Sequence, residues 1–247
     1  NYLERQNRET GMAVKTILSL WNDYLIMAGR LNMDIYDSIV YRVKNIVKRH
    51  DELVKAIKDK DMVLRADKIA KDFPGIDAVC GELKEKYEYS GKDYLILAPR
   101  CIEDILKEGD ALHHCVDKGG NYFGRINSRE SYILFLRKAE EPEKPYYTLE
   151  VEPDGTVRQK RTEYNRQLPD IEKAGTFLKR WQKQIQEKLS REDLGLAARS
   201  RELRAQELET MRKNKVRING GDFAGKLLAD VLEADLLEVR EDKDIAA

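Results

Sequence analysis

The chain has 247 residues, which is enough for one large domain or two small ones. Its 45 basic residues balance its 45 acidic residues, so the net charge gives no general argument for binding nucleic acid or an anionic membrane, and any basic surface has to be local. No apolar run reaches the ~18 to 20 residues that span a bilayer, so we expect no membrane partner. The sparse cysteines, which lack metal-ligand spacing, predict a reducing, cytoplasmic location.

Residues 1–90 predict a helical N-terminal region. A first clear helix is expected from Val14 to Ala28. In residues 35–58, apolar residues recur at intervals of three and four, which predicts one continuous helix with a heptad seam that includes His50. A further helix is expected over Ile76–Tyr87, after a Pro-Gly break.

The periodicity changes in residues 91–190, where a strand, a helix, three strands and another helix predict an α+β module with a short antiparallel sheet packed on helices. Residues 191–247 form a highly charged helical tail, for which we expect an exposed or partner-dependent helix. The predicted elements of the module are strand Tyr94–Leu97, helix Arg100–His114, strands 131–138, 145–151 and 155–161, and a helix that starts at Leu168-Pro169.

The dipeptide Asp154-Gly155 predicts a hairpin turn with a bulge at the glycine. In the register of a three-residue loop, Val151 lies opposite Val157, and the side chain of Gln159 points to the apolar face. The opposite pairs would be Leu149 with Gln159 and Tyr147 with Arg161, and the other face would carry Thr148, Glu150, Arg158 and Lys160.

The segment "ALHHCVDKGGNYFGRI", residues 111–126, contains two of the three histidines. On a helical projection, His113 lies in the middle of an apolar arc that faces the sheet, His114 lies at its flank, and Cys115 faces away. Three adjacent helical residues cannot all point at one metal ion, so we predict no metal here. His113 is then either a hydrogen-bonded core histidine or an acid–base group. No nucleotide-binding loop is recognisable, and we predict no cofactor.

The segment "RQKRTEYNR" contains four basic residues and one acid, and several tyrosines lie near it in the sequence. Such a patch can grip phosphates and stack bases, or it can be a solvated strand end. The basic residues are Arg158, Lys160, Arg161 and Arg166.

Six motifs in order resemble the PcfJ-like family, which is known from conjugative plasmids and phages, and the resemblance covers about residues 94–185. The chain departs from the family pattern after "HHCV" and before "NR", where glycines are usual. The matching features are "LHHCV", Tyr122 with Arg125-Ile126, "ILFLRK", "PYYTLEV", the "V-R-Q" of the third strand and Asn165-Arg166, followed by a helix around Trp181. The resemblance implies a protein of a mobile element and does not imply a mechanism.

Two functions follow as hypotheses. The first is a protein that binds or acts on nucleic acid, with a metal-independent nuclease as its catalytic form, since a helix followed by a sheet with these polar residues is similar to small ribonucleases at the level of the fold. The second is a non-enzymatic adaptor that holds a partner protein through its N- or C-terminal helices. In the nuclease hypothesis, the acid–base groups would be His113 and Glu150, and the charge-stabilising groups would be Arg137 and Arg161. The substrate-positioning groups would be Tyr122, Gln159 and Asn165.

Overall fold

The protein has an α+β fold, as predicted. The computed structural model describes residues 2–114, 116 and 120–239. The chain divides into two compact units, residues 1–67 and residues 68–247. The predicted division into three regions, with boundaries near residues 90 and 190, stays a prediction.

The first unit is helical. Its core is a cluster around Tyr24, Ala28 and Ile46, all fully buried. Its elements are α1 (Tyr2–Thr10), α2 (Val14–Arg30), α3 (Ser38–Tyr41) and the first part of α4 (Ile46–Asp72).

The continuous helix predicted over residues 35–58 is wrong. The Asp37 side chain accepts a hydrogen bond from the Ile39 N–H at 2.8 Å and so caps α3, which ends after one turn; Arg42 then leaves the helical conformation at φ −121° and ψ 53°. Ile39 of the predicted seam is 79% exposed, and His50 is partly exposed beside Asp51. The apolar spacing arises from two separate helices, so no single seam forms.

The second unit contains a five-stranded antiparallel sheet in which every strand pairs with its neighbours in the sequence. The predicted strands of the module are present within two residues of their expected limits, and the short β1 adds one strand at the edge. The strands are β1 (Tyr89–Ser90), β2 (Tyr94–Leu97), β3 (Tyr132–Lys138), β4 (Tyr147–Val151) and β5 (Val157–Arg161).

Helices pack on this sheet and fix the hairpin that carries most of the polar candidates. The Trp181 indole donates to the Tyr87 carbonyl at 2.7 Å, and the Tyr87 hydroxyl donates to the Pro153 carbonyl at 2.8 Å, which ties two helices to the β4–β5 turn. The helices of this unit, after α4, are α5 (Ile76–Tyr87), α6 (Ile102–Leu112), α7 (Gly120–Asn127), α8 (Gly175–Gln186), α9 (Arg191–Lys213) and α10 (Leu228–Asp235).

Helix α9 begins with a capping box in which Ser190 and Asp193 each accept a hydrogen bond from the other's backbone N–H. Most of its side chains are exposed, as the charged sequence predicted. One stripe of small and apolar residues, including Ala197 and Ser200, is nevertheless buried. The outer face of this helix is therefore exposed, whereas its inner face is buried.

The register predicted for the hairpin is wrong beyond its first pair. Val151 does lie opposite Val157, and Gly155 has the positive φ, 91°, of the predicted turn. A second bulge at Arg158, however, places Gln159 opposite Glu150. Two residues of β5 thus match one of β4, so the side chains beyond the bulge point to the opposite face from the one predicted.

Candidate functional site

A cavity of about 500 Å³ lies beside the β4–β5 hairpin, with α7, α9 and residues 218–236 as its other walls. One side of the cavity is apolar, with Leu208, Met211 and Phe223 among its lining residues. A concave apolar site with a few convergent polar groups is the usual form of a ligand site. Seven of the residues predicted for the site line this cavity: Tyr122, Glu150, Arg158, Gln159, Arg161, Asn165 and Arg166.

The two histidines have the reverse of their predicted positions. Helix α6 ends at Leu112, and His113 adopts the left-handed conformation, with φ 51° and ψ 38°. His113 is therefore exposed, and its ring stacks on Tyr164 with 5.1 Å between the ring centroids. His114, which we predicted at the flank of the helix, is only 4% exposed, and its Nε2 lies 2.7 Å from Thr148 Oγ1. The projection failed because it continued the helix past its end. Cys115 and residues 117–119 lie outside the described residues.

His114 lines a smaller pocket of about 20 Å³, which is room for about one water molecule. Five polar residues line both pockets, so the small pocket adjoins the floor of the larger cavity. The shared residues are Tyr122, Glu150, Gln159, Arg161 and Asn165.

Glu150 is the buried acid at the junction of the two pockets and is 2% exposed. Its carboxylate accepts hydrogen bonds from Arg125 at 2.9 Å, Ser131 at 2.7 Å and Gln159 at 2.8 Å. The contact with Gln159 exists because the bulge brings the two residues opposite each other. A buried carboxylate needs such donors, and this one has three in fixed positions.

The predicted basic patch is largely neutralised within the chain. Arg158 is 5% exposed and donates to Glu152 at 2.8 Å and to Glu130 at 2.9 Å. Burial alone would lower the pKa of its guanidinium, but the neighbouring carboxylates outweigh burial and raise that pKa. Arg161 forms an ion pair with Asp235 of α10. The interpretation of this segment as a solvated strand end is therefore wrong for these two residues.

The remaining basic residues of this segment differ in exposure. Lys160 donates to the backbone carbonyl of Asp235, and burial lowers the pKa of its ammonium group. Its side chain does not line the cavity. Arg166 is 40% exposed, lies 3.6 Å from Glu163, and its guanidinium packs over the ring of Tyr164. Arg166 is therefore the member of the segment best placed to meet a ligand from solvent.

Arg137, predicted as a charge-stabilising group, does not line the cavity either. It is buried and forms two hydrogen bonds with the carboxylate of Glu108, the Nη1 bond at 2.9 Å. Any influence of Arg137 on the cavity has to pass through the residues that it contacts.

Several residues of the site were not predicted. Arg125 of α7 forms ion pairs with Glu150 and with Glu207 of α9. Its guanidinium lies over the ring of Tyr122, one helical turn earlier. Arg204 of α9 also lines the cavity. Arg125 was visible in the sequence as part of a family motif, whereas Arg204 and Glu207 belong to a charged run in which no residue stands out.

The backbone at the rim of the cavity is strained. Tyr164 and Asn165 both have φ of 58°, the left-handed region that non-glycine residues rarely adopt. Such a residue costs about 1 to 3 kcal/mol and often lies at a binding or catalytic site. The Thr162 N–H and the Arg166 carbonyl close this loop with a 2.9 Å hydrogen bond.

Within residues 2–114, 116 and 120–239, no three His, Cys, Asp or Glu side chains are grouped so that they could hold a metal ion. None of the helices in the described part of the chain is long and apolar enough to cross a membrane.

The fold and the cavity define an α+β module with an internally ion-paired polar cleft on its sheet. The sequence pattern of the family described as PcfJ-like protein matches residues 20–175, and the chain belongs to this family. The match extends further toward the N-terminus than the motifs indicated, and it stops before α9 and α10.

A curated relative is the "Uncharacterized protein Lin1253/Lin1744" of Listeria innocua serovar 6a, which is 30% identical over 151 residues. The aligned part is 61% of this chain and 31% of the relative, so the chain spans about a third of the length of the relative that it matches. No solved structure matches the chain significantly.

Proposed function

We propose that this chain is a mobile-element protein that acts on nucleic acid in the cavity, as a metal-independent nuclease. His114 takes the acid–base role that the sequence assigned to His113. The observation that carries the proposal is the shared lining of the two pockets, because His114 adjoins five polar side chains that were selected from the sequence for substrate contact or catalysis.

The chemistry divides among these residues. A base removes the proton from an attacking hydroxyl, the oxygen–phosphorus bond forms, and an acid returns a proton to the leaving oxygen as the old bond breaks. His114 and Glu150 are the candidate acid–base groups. Arg161 is the candidate cation for the charge that develops on the phosphate oxygens. Single-stranded RNA is the favoured substrate, since its own 2′ hydroxyl can attack.

The rim fits a single strand. Tyr122 lines the cavity, and the exposed Tyr164 stacks with the exposed His113 beside it. Aromatic side chains stack on bases of any sequence and contribute about 1 to 3 kcal/mol per base. Arg166 lies over the Tyr164 ring and can meet the adjacent phosphate.

The test is a gel assay with labelled single- and double-stranded RNA and DNA, with and without EDTA. Cleavage of single-stranded RNA is expected to survive EDTA, to disappear in His114→Ala and to persist in His50→Ala, a histidine that lines neither pocket. Thermal melting of both variants separates lost chemistry from lost folding. If His114→Ala unfolds, Gln159→Ala tests the same pocket. Equal cleavage by the wild type and a folded His114→Ala contradicts the proposal.

A second candidate is the adaptor, and a different observation favours it. Of the twelve large hydrophobic side chains that are exposed among the described residues, eight lie in the first unit, and Tyr36 is 90% exposed. Tyr36 and Ile39 lie three residues apart and are both largely exposed, and neighbouring exposed apolar residues are typical of protein-interaction sites. The adaptor predicts salt-sensitive binding of nucleic acid without any product after long incubation. It also predicts that Tyr36→Ser with Ile39→Ser removes partner recruitment and leaves nucleic-acid binding intact.

A further inference from the structure

A continuous chain of buried polar groups leads from β3 to His114. Arg137 Nη1 donates to Glu108 Oε1 at 2.9 Å, Glu108 Oε1 lies 3.3 Å from Thr148 Oγ1, and Thr148 Oγ1 lies 2.7 Å from His114 Nε2. All four residues are at most 6% exposed. Buried polar groups of this kind are costly unless they are connected, and here each one finds the next.

The count of protons along this chain determines which ring nitrogen of His114 is protonated. The Arg137 guanidinium only donates, and it faces both oxygens of Glu108, so that carboxylate accepts on both sides. The single hydroxyl proton of Thr148 therefore points at Glu108. The Thr148 oxygen is left as an acceptor, and the hydrogen bond at 2.7 Å requires the proton on His114 Nε2.

We propose that Thr148 and Glu108, held by Arg137, are positioning residues that fix His114 as the Nε2–H tautomer and leave Nδ1 as the nitrogen that exchanges protons. This inference rests on the proposed function for its consequence in catalysis, whereas the tautomer itself does not depend on it. An acid–base histidine is commonly oriented by a third group, and here a threonine hydroxyl lies between the carboxylate and the ring.

The arrangement gives a role to Arg137 that the sequence prediction did not. Arg137 does not meet a phosphate in the cavity; it orients and neutralises Glu108 from behind. Burial raises the pKa of Glu108, and the hydrogen bonds from Arg137 and Thr148 oppose that rise. The four residues from Arg137 to His114, called the relay below, all lie within the family match, and Thr148 and Arg137 belong to its "PYYTLEV" and "ILFLRK" motifs.

The tautomer is measured by long-range ¹⁵N–¹H NMR of the full chain labelled on histidine, in which only three rings have to be assigned. His50→Gln and His113→Gln assign the other two signals. The expected spectrum for His114 has a protonated Nε2 and an unprotonated Nδ1 at neutral pH. A protonated Nδ1 with a bare Nε2 in the wild type overturns the inference, whether or not the protein cleaves nucleic acid.

The variants Thr148→Val and Thr148→Ser form the matched pair. Valine keeps the shape and removes the hydroxyl, so the tautomer ratio is expected to shift and kcat to fall by roughly 10- to 100-fold, with a changed pH profile. Serine keeps the hydroxyl and is expected to restore both. An unchanged His114 spectrum in a folded Thr148→Val refutes the relay. If the spectra behave as expected and no variant or wild type cleaves RNA, the relay stands and the proposed nuclease function fails.

Discussion

The most demanding test of the packing beneath the cavity is the replacement of Glu152, which is wholly buried at the end of β4. Its Oε1 accepts from Arg158 Nε and from Arg204 Nε, each at 2.8 Å, so this one carboxylate joins the hairpin to α9. Removing one partner of a buried ion pair costs about 3 to 5 kcal/mol. Because Arg158 keeps Glu130 and Arg204 keeps Glu238, we expect Glu152→Ala to cost about 3 kcal/mol, the lower end of that range.

The free energy of unfolding is to be measured with urea, followed by the fluorescence of the buried Trp181 in a Trp21→Phe background. Glu152→Gln keeps an oxygen that accepts from both arginines but loses the charge, so we expect about half of the effect. The control is Glu209→Ala, which removes an exposed pair with Lys213 and is expected to cost under about 0.5 kcal/mol. A Glu152→Ala effect no larger than that of the control would refute the role of the carboxylate as the joint between hairpin and helix.

Three further predictions concern conformation, pH and reactivity. Gly155→Ala is expected to destabilise the chain by about 1 to 2 kcal/mol, measured by urea unfolding, because φ is 91° there and a Cβ would lie 3.0 Å from the nearest side chain. Burial alone would raise the pKa of Asp193, but hydrogen bonds from Lys86 and Ser190 outweigh it and lower that pKa, so the stabilisation is present above the unfolded-state pKa and is lost as pH falls through the folded-state pKa. The difference in unfolding free energy between wild type and Asp193→Asn should therefore shrink on acidification. Burial raises the pKa of Cys80 to about 12, so alkylation at pH 8, mapped by mass spectrometry, should modify the partly exposed Cys101 well before Cys80.

Each of these predictions has a contradicting outcome. Gly155→Ala with wild-type stability would show that the turn does not need the positive φ. A stability difference at Asp193 that grows on acidification would reverse the sign of the linkage. Faster labelling of Cys80 than of Cys101 in the folded chain would place its thiol at the surface.

The fold was largely predictable because its elements are marked by local signals. Helix Ile76–Tyr87 and strand Tyr94–Leu97 have the limits that the sequence predicted, since breakers flank them and their apolar periodicity is clear. The helix expected over residues 35–58 failed for the opposite reason. There, the apolar spacing continues across the four residues Arg42–Asn45 that separate α3 from α4, and periodicity alone does not detect such a break.

The candidate site was predictable in its residue types but not in its geometry. Tyr122, Glu150 and Gln159 were selected from the sequence, and the structure brings them together. The choice between His113 and His114 depended on one left-handed residue at the end of α6, which apolar periodicity does not detect. The neutralisation of Arg158 depends on carboxylates 6 to 28 residues away in sequence, which no local pattern relates to it.

The bulge at Arg158 has a consequence for how much one short strand can do. In a regular strand, neighbouring residues face opposite sides of the sheet. The extra residue suspends that rule for one step, so that Arg158 reaches the carboxylates beneath α9 while Gln159 still contacts Glu150 at the floor of the cavity. Deleting the single residue Arg158 would restore a regular ladder that still places Gln159 opposite Glu150, but it would remove the hydrogen bonds from Arg158 to Glu152 and Glu130. The bulge therefore lets two consecutive side chains of one strand lie on the same side of the sheet, where Arg158 is 3.6 Å and Gln159 is 2.8 Å from the Glu150 carboxylate.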